Sequence, residues 1–511
     1  MVDDAFNLLR IVVVKSRAMQ LFYGIRQAVF CGRYPLCALA LHPFLIAAGC
    51  IERPTTIDPA PARPHSGVVL QVAVQDQRDR ELVRQLAASW ANRSGAEVRI
   101  LESPWDGTAD IGIIATADLA RWAEPGLIVE VPATVRSQSH AYRWDDVVSV
   151  HRVRLTSWRD RTYALPVLGE GLVLVYRKDA FDGKGGRPAS PPGTWDTLLQ
   201  NAEMFGPNSL PPLPSDAERL GAEFFSAAAC YDRMAVGRIS AGDLKLDDSF
   251  FAFQFDTATG KPRLDAPAFQ HVAELFRRMQ TFRSPAPDAI TAFRDGQAKV
   301  GIVSLAELAP IVAALGDRVA VAPLPGAGFV FDAKGEKQVT EQQTINRVPY
   351  HGWGGRVGVV SKKCSAPEAA WEFLADVGMP EHTALDLIAA TRWGAGPYRS
   401  SQLDARARPR WFSYGMSAPE TDRLTASLRE NAGQNIQNNR VRLRTPNQEE
   451  LAMILDAELR AAVKAKEPAS LAKVNARWQA AIDKLPTDEW WVMTRRSLGL
   501  ADNPYPRAGG K

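Results

Sequence analysis

The chain has 511 residues, 46% hydrophobic and 23% charged, with a formal net charge of +4. That length exceeds what one ordinary hydrophobic core supports, and the composition is that of a soluble globular protein with two or more lobes. So small a net charge, with no long basic run or arginine–aromatic cluster, argues against nucleic-acid binding.

The first fifty residues differ in kind from the rest. Arg26 and Arg33 precede an apolar stretch, Tyr34 to Cys50, that ends in Ala47-Ala48-Gly49-Cys50. A basic region, a short apolar core and small residues at its end are the layout of an export signal. Its apolar part is shorter than the roughly 20 residues of a spanning helix, and His42 and Pro43 interrupt it. The last four residues resemble a bacterial lipoprotein cleavage box, which would make Cys50 the lipidated first residue. Met19 is an alternative start, and an uncleaved anchor or a buried apolar segment is the alternative reading. Of the five cysteines, only Cys230 and Cys364 fall in the folded body, too few for a disulfide scaffold. They read as buried small hydrophobes, with a single disulfide between them left open.

Residues 51–66 are Pro-rich and polar and read as an extended tether. From Val68 to Val74 a buried strand is expected, then an amphipathic helix over Asp79–Arg93 with Leu82, Leu86 and Trp90 on one face. Glu97–Leu101 and Asp110–Ile114 are further strands, and this alternation implies parallel pairing with crossover helices. Tyr163 to Asp179 then runs through Gly169-Glu170-Gly171 into the unbroken apolar run Leu172–Tyr176, a strand buried on both faces. Thr194 is placed to cap the helix that follows it. Helical patterns cover 217–237 and 266–282, a helix and a strand occupy 290–304, and His351-Gly-Trp-Gly-Gly feeds another strand. Beyond Ala366 the chain is mostly helical, notably over 447–464 and 468–484.

Several residues are candidates for contact with a ligand. Asp76 and Gln77 follow the first strand, where a parallel sheet opens its crevice, although Asp76 also suits a helix cap. Trp105 and Asp106 stand in the same relation to the second strand. Trp353 lies among glycines and offers an apolar face for stacking, or else plugs a seam. Trp393, Tyr398 and Arg399 form a polar–aromatic cluster in a Gly/Pro loop, where Arg399 would pair with a ligand anion or a surface carboxylate. Trp90, Trp122, Trp195, Trp371 and Trp478 fall at apolar helical spacing and read as core.

Four segments together resemble the extracellular solute-binding proteins that feed ABC importers, in their sugar-binding, maltose-binding-protein-like class. They are Asp110-Ile-Gly-Ile-Ile with Leu119 to Ile128, and Tyr163-Ala-Leu-Pro running to Phe181 with Gly193-Thr-Trp-Asp. The others are Ala292 to Ile302 with Pro323-Leu-Pro-Gly, and Gly358 to Lys363 with Ala366 to Leu374. The resemblance spans residues 68–485. It implies an α/β, two-lobed periplasmic-binding-protein fold of class II type, with a hinge between the lobes and a helical C-terminal part. Lobe 1 would take 67–168 with 285–322, and lobe 2 would take 169–284 with 323–490. Residues 491–511 would be a tail.

The resemblance also implies the function: capture of a sugar or similar polar solute in the cleft and delivery to the transmembrane subunits of an ABC permease. The protein would be a monomer, exported, with no cofactor or metal, and held to the membrane through the lipid on Cys50 alone. In maltodextrin-binding members an acid in the setting of Glu170 accepts hydrogen bonds from sugar hydroxyls; a solvated hinge acid is the alternative. Departures count as well: Ile114 stands where those members carry an aromatic, and Ala117 where they carry an acid, which argues against a maltodextrin. No serine-nucleophile elbow, zinc-protease motif or phosphate-binding loop supports an enzyme, and seven histidines show no metal spacing. A glycan-active enzyme, or a ligand-sensing or adhesion protein on the same scaffold, remains the alternative.

Overall fold

The structure, a computed structural model, describes residues 63–169, 171–235, 253–256, 259–332, 334–340, 344–380, 396–433, 438–485 and 487–499. The signal segment with Cys50, most of the tether, Glu170 and Trp393 lie outside the described residues.

In the first lobe, β1 (Val69–Val74) leads through α1 (Gln77–Ser94) to β2 (Glu97–Leu101) and on to β3 (Ile111–Ala115). The expected face of α1 is buried, with Leu82, Leu86 and Trp90 under 10% exposed. β1 lies between β2 and β3 and runs parallel to both, as alternating strands and helices require. After α2 (Leu119–Ala123) come a short hairpin, β4 (Ser157–Trp158) and β5 (Arg161–Thr162), and then β6 (Leu165–Leu168).

The second lobe begins with β7 (Leu172–Arg177), whose six residues are all buried, as its unbroken apolar pattern predicts. α3 (Trp195–Phe205) starts where expected, with the Thr194 hydroxyl accepting from the Thr197 N–H. It is followed by α4 (Ala217–Asp232), α5 (Pro267–Gln280), α6 (Ala289–Arg294), β8 (Val300–Ser304), α7 (Leu305–Leu315) and β9 (Val319–Ala322). The ribbon of β10 (Phe329–Phe331) and β11 (Lys337–Val339) precedes β12 (Tyr350–His351), β13 (Arg356–Val360) and α8 (Pro367–Val377). The C-terminal part holds α9 (Ala418–Ala432), β14 (Arg440–Val441), α10 (Gln448–Ala465), α11 (Leu471–Ile482) and α12 (Thr487–Ser497).

Sheet pairing corrects the division of the chain between lobes. β8 and β9 flank β7 on its two edges, both antiparallel to it, so residues 285–322 build lobe 2 and not lobe 1. β13 instead enters the lobe 1 sheet, antiparallel between β3 and β6, and α8 packs on it. Gly358 makes that packing possible, because a Cβ there would sit 2.4 Å from a Leu374 methyl. The sheets are therefore β2-β1-β3-β13-β6 and β8-β7-β9.

Among the described residues the chain crosses between lobes three times: at Gly169–Gly171, between β9 and β13, and between Tyr398, in a lobe 1 core, and Leu403, in a lobe 2 core. Residues 491–497 are also not tail. They belong to α12, with Trp490 and Met493 buried. Cys230 and Cys364 are both free thiols.

Candidate ligand cleft

The pairings put one end of each sheet at the crossings. In lobe 1 the C-terminal ends of β1 and β3 lie beside the start of β13, because Arg356 pairs with Ala115. In lobe 2 the start of β7 pairs with the end of β8, Leu172 with Ser304. Gly169 ends the β6 side and Gly171 opens the β7 side, so Glu170 is the residue between the two edges in sequence. Both glycines are demanded by close approach. A Cβ on Gly169 would lie 2.4 Å from the Gly396 carbonyl oxygen, and one on Gly171 would lie 2.6 Å from a Leu305 methyl.

Each edge carries an arginine held by carboxylates. On lobe 1, Arg356 donates through Nη2 to Asp76 at 2.9 Å and through Nε to Asp79 at 2.7 Å. Beside them, the Gln75 side chain accepts from the Ala115 N–H and donates to Asp118, both at 2.9 Å. On lobe 2, Arg219 of α4 donates to Glu307 at 2.7 Å and to the Ile302 carbonyl at 3.0 Å. Glu307 also closes a capping box with Ser304 at the start of α7. Burial raises the Glu307 carboxyl, but Arg219 and the Ser304 hydrogen bonds outweigh it and leave its pKa below the ordinary glutamate value.

Among the described residues, three cavities open along this seam. One, of about 830 Å3 with its mouth included, lies at the third crossing between Val147, Ser149 and Arg152 of lobe 1 and Leu403, Arg429 and Gly433 of lobe 2. The other two adjoin Trp353. The first of these, of about 770 Å3 with its mouth included, is lined by Gly171, Pro325, His351, Pro397 and Asn431 from the crossings and α9. The second, of about 500 Å3, has an aromatic and aliphatic interior that includes Phe225, Phe255, Leu451 and Trp478. Its rim is polar: Glu218 pairs with Arg442 at 3.1 Å, and Gln448, at the start of α10, donates to the Ala117 carbonyl of lobe 1 at 2.9 Å. Tyr350 and Trp353 line both of these cavities. An apolar wall with a few convergent polar groups is the ordinary make-up of a small-molecule site.

The sequence candidates divide accordingly. Trp353, half-buried, lies between the two cavities it lines, and Asp76 lies on the lobe 1 edge, where it holds Arg356. Gln77 is exposed as the first residue of α1. Trp105 is core and not a cleft aromatic. It is 6% exposed, packs on Trp122 at 4.4 Å between ring centroids and donates to the Ala109 carbonyl. Asp106 is exposed and closes a turn on the Thr108 N–H and hydroxyl, bonds that lower its pKa.

Tyr398 and Arg399 are corrected likewise: both are 0% exposed. Arg399 donates to the carbonyls of Gly378 and Arg143 and lies over the Tyr142 ring at 4.4 Å. It anchors the lobe 1 end of the third crossing and has no free face for a solute. Arg356, Asp79, Arg219, Glu307, Glu218, Arg442 and Gln448 escaped sequence reasoning. Only the Ser-x-x-Glu spacing of Ser304 and Glu307 carried a local signal.

Two α/β lobes joined by three crossings, with polar sheet edges and cavities along the seam, define a two-lobed ligand-binding protein. A family model for bacterial extracellular solute-binding proteins matches residues 99–405, and the chain belongs to that family. Solved structures share the fold at low identity. The sugar-binding protein MalE from Xanthomonas citri is 15% identical over 82% of this chain and 98% of its own, with a TM-score of 0.61. Maltose-bound MalE3 of T. maritima is 16% identical over 82% and 100%, with a TM-score of 0.55. An ABC transporter solute-binding protein from Agrobacterium radiobacter K84, in complex with ribitol, is 18% identical over 83% and 100%, with a TM-score of 0.53. No curated protein matches the chain. Membership places its work outside the cytoplasm, and among the described residues no helix is long and apolar enough to cross a membrane.

Proposed function

We propose that the protein binds a sugar or polyol between its lobes, without chemical turnover, and delivers it to an ABC permease by hinge closure. The observation that carries this reading is the pair of polar sheet edges, Asp76–Arg356–Asp79 on one lobe and Arg219–Glu307 on the other, with Trp353 at the seam. Such edges offer acceptors and donors to solute hydroxyls, and an indole offers an apolar face to a sugar ring or polyol chain. Glu170, between the glycines of the first crossing, supplies a further acceptor. Maltose and ribitol in proteins of this fold support the solute class. Cleavage before Cys50 and its lipidation would tether a monomeric body to the membrane through residues 51–66.

The test is a thermal-shift screen of the purified protein against pentoses, hexoses, disaccharides and polyols. A cognate solute at one hundred times its dissociation constant stabilises by about 2.7 kcal/mol. Glu170→Ala is expected to weaken that response while leaving the melting temperature of the empty protein unchanged, and Trp353→Ala to weaken it together with some loss of stability, since Trp353 also packs on the lobe 2 core. A screen in which no sugar or polyol shifts the melt would overturn the reading.

A further inference from the structure

The last helix touches both lobes. On the lobe 2 side, Trp490 of α12 is 2% exposed, donates to the Gly260 carbonyl at 3.1 Å and packs edge-on to Phe255. Leu498, just past the helix, belongs to the same lobe 2 core.

On the lobe 1 side, the carbonyls at the C-terminal end of α12 are each taken by a donor. From lobe 1, the Arg159 N–H bonds the Arg496 carbonyl at 2.9 Å and Arg154 bonds the Leu498 carbonyl at 2.7 Å, while Arg444, beside Leu443 of the lobe 2 core, bonds the Ser497 carbonyl. Arg444 is 0% exposed and reaches lobe 1 as well, its Nη1 donating to the Leu155 carbonyl and its Nη2 shared among the carbonyls of Ser497, Arg154 and Ser157. These carbonyls are the acceptors a helix leaves unsatisfied, and cations suit that negative end. Arg496 also pairs with Glu124, which in turn accepts from Trp158 at 2.6 Å in a lobe 1 core. Gly499 seats the join. At φ +71° its Cβ position lies 3.0 Å from the Val153 carbonyl and 3.1 Å from the Ser157 Cβ, so only glycine lets the chain lie this close.

We propose that α12 is a strap across the seam, a non-covalent connection beside the chain crossings that limits how far the lobes separate. The three chain crossings alone form a hinge, and a clamp of directed hydrogen bonds at a separate place removes part of its freedom. The empty protein then stays near one lobe separation and samples fewer incompetent arrangements. That raises apparent affinity by the fraction of competent states recovered and slows release. The inference holds whichever solute the cleft takes.

The experiment is pulsed electron spin resonance on the full chain, with the native cysteines replaced and spin labels at Gln85→Cys in lobe 1 and Met204→Cys in lobe 2, both exposed positions. The parent should give one narrow distance distribution without solute. Arg496→Glu, which repels Glu124, and Gly499→Val, which forces the chain off Ser157, should each broaden it and shift it to longer distances. Circular dichroism checks that each variant is folded. If Gly499→Val does not fold, the milder Arg496→Glu decides. A folded Arg496→Glu variant with the parental distribution would overturn the proposal.

Discussion

Arg219 on α4 donates to Glu307 on α7 at 2.7 Å, joining residues 88 positions apart at the edge of the lobe 2 sheet. Arg219 is 8% exposed at its side chain and Glu307 28%, so the pair is enclosed more from one side than the other. Arg219→Ala removes the cation while Glu307 stays half-enclosed, and a loss of about 1–3 kcal/mol is expected in urea denaturation. The pH dependence has a definite sign. The folded pKa of Glu307 is lowered, so the stabilisation is complete above the unfolded carboxyl value, about 4.3, and disappears as pH falls through the folded value. Glu307→Gln should flatten that part of the stability curve below pH 5. A variant as acid-labile as the parent would refute this assignment.

Asp76 and Asp79 share Arg356 but differ in enclosure, at 20% and 4% side-chain exposure. Replacing the more exposed acid should cost about 1 kcal/mol or less. Replacing the enclosed one should cost about 1–3 kcal/mol, because it removes a charge-assisted bond made by a buried carboxylate and leaves an amide enclosed in its place. Asp79→Asn is therefore expected to melt well below Asp76→Asn. The solute response of the two variants then shows which carboxylate the cleft uses. Equal melting temperatures would mean that the two acids carry Arg356 equally.

The glycines on either side of Glu170 differ in what a methyl would strike. At Gly171 the obstacle is the end of the Leu305 side chain, which can turn away. At Gly169 it is the main chain of Gly396 and Pro397, which cannot. Gly171→Ala should cost about 1–3 kcal/mol, as modest overpacking does. Gly169→Ala should cost more, because it also breaks the paired hydrogen bonds between Gly169 and Gly396 at 2.9 and 3.0 Å. Thermal melts of the two variants order them, and the reverse order would contradict the geometry.

What the sequence revealed follows from which forces are local. Helix α1 was legible because Leu82, Leu86 and Trp90 repeat at helical spacing, and β7 because its unbroken apolar run needs burial on both faces. The lobe to which β8 and β9 belong was not legible. Val300–Val303 would satisfy either sheet, and pairing across more than a hundred residues leaves no periodic trace. Arg399 looked like a loop cation because nothing near it in sequence shows the Tyr142 ring and the Gly378 carbonyl that enclose it. Trp105 looked like a cleft aromatic for the same reason. Its packing partner is Trp122, and it lies over Gly112, where a Cβ would be 2.4 Å from the indole. The polar edges of the cleft are built from partners distant in sequence, so sequence reading found only Asp76, at a strand end, and missed Glu307 although its capping box with Ser304 is local.

The two cysteines of the folded body give a last, separate check. Cys230 is buried on α4, its thiol directed to the Ser226 carbonyl at 3.3 Å, and burial pushes its pKa up to about 11. Burial, with Asp110 adding to it against the Ala366 N–H, also lifts Cys364 to about 11. The thiolate is the reactive form, and at pH 8 a group of pKa 11 holds about one part in a thousand of it. Alkylation of the native protein at pH 8, mapped by mass spectrometry, should leave Cys230 unmodified and label Cys364 slowly. Unfolding in guanidinium should release both to the rate of an ordinary thiol. Because both are free, a reducing agent should leave the melting temperature unchanged. Rapid native labelling of Cys230 would mean that α4 opens far more readily than its packing against α5 and α10 allows.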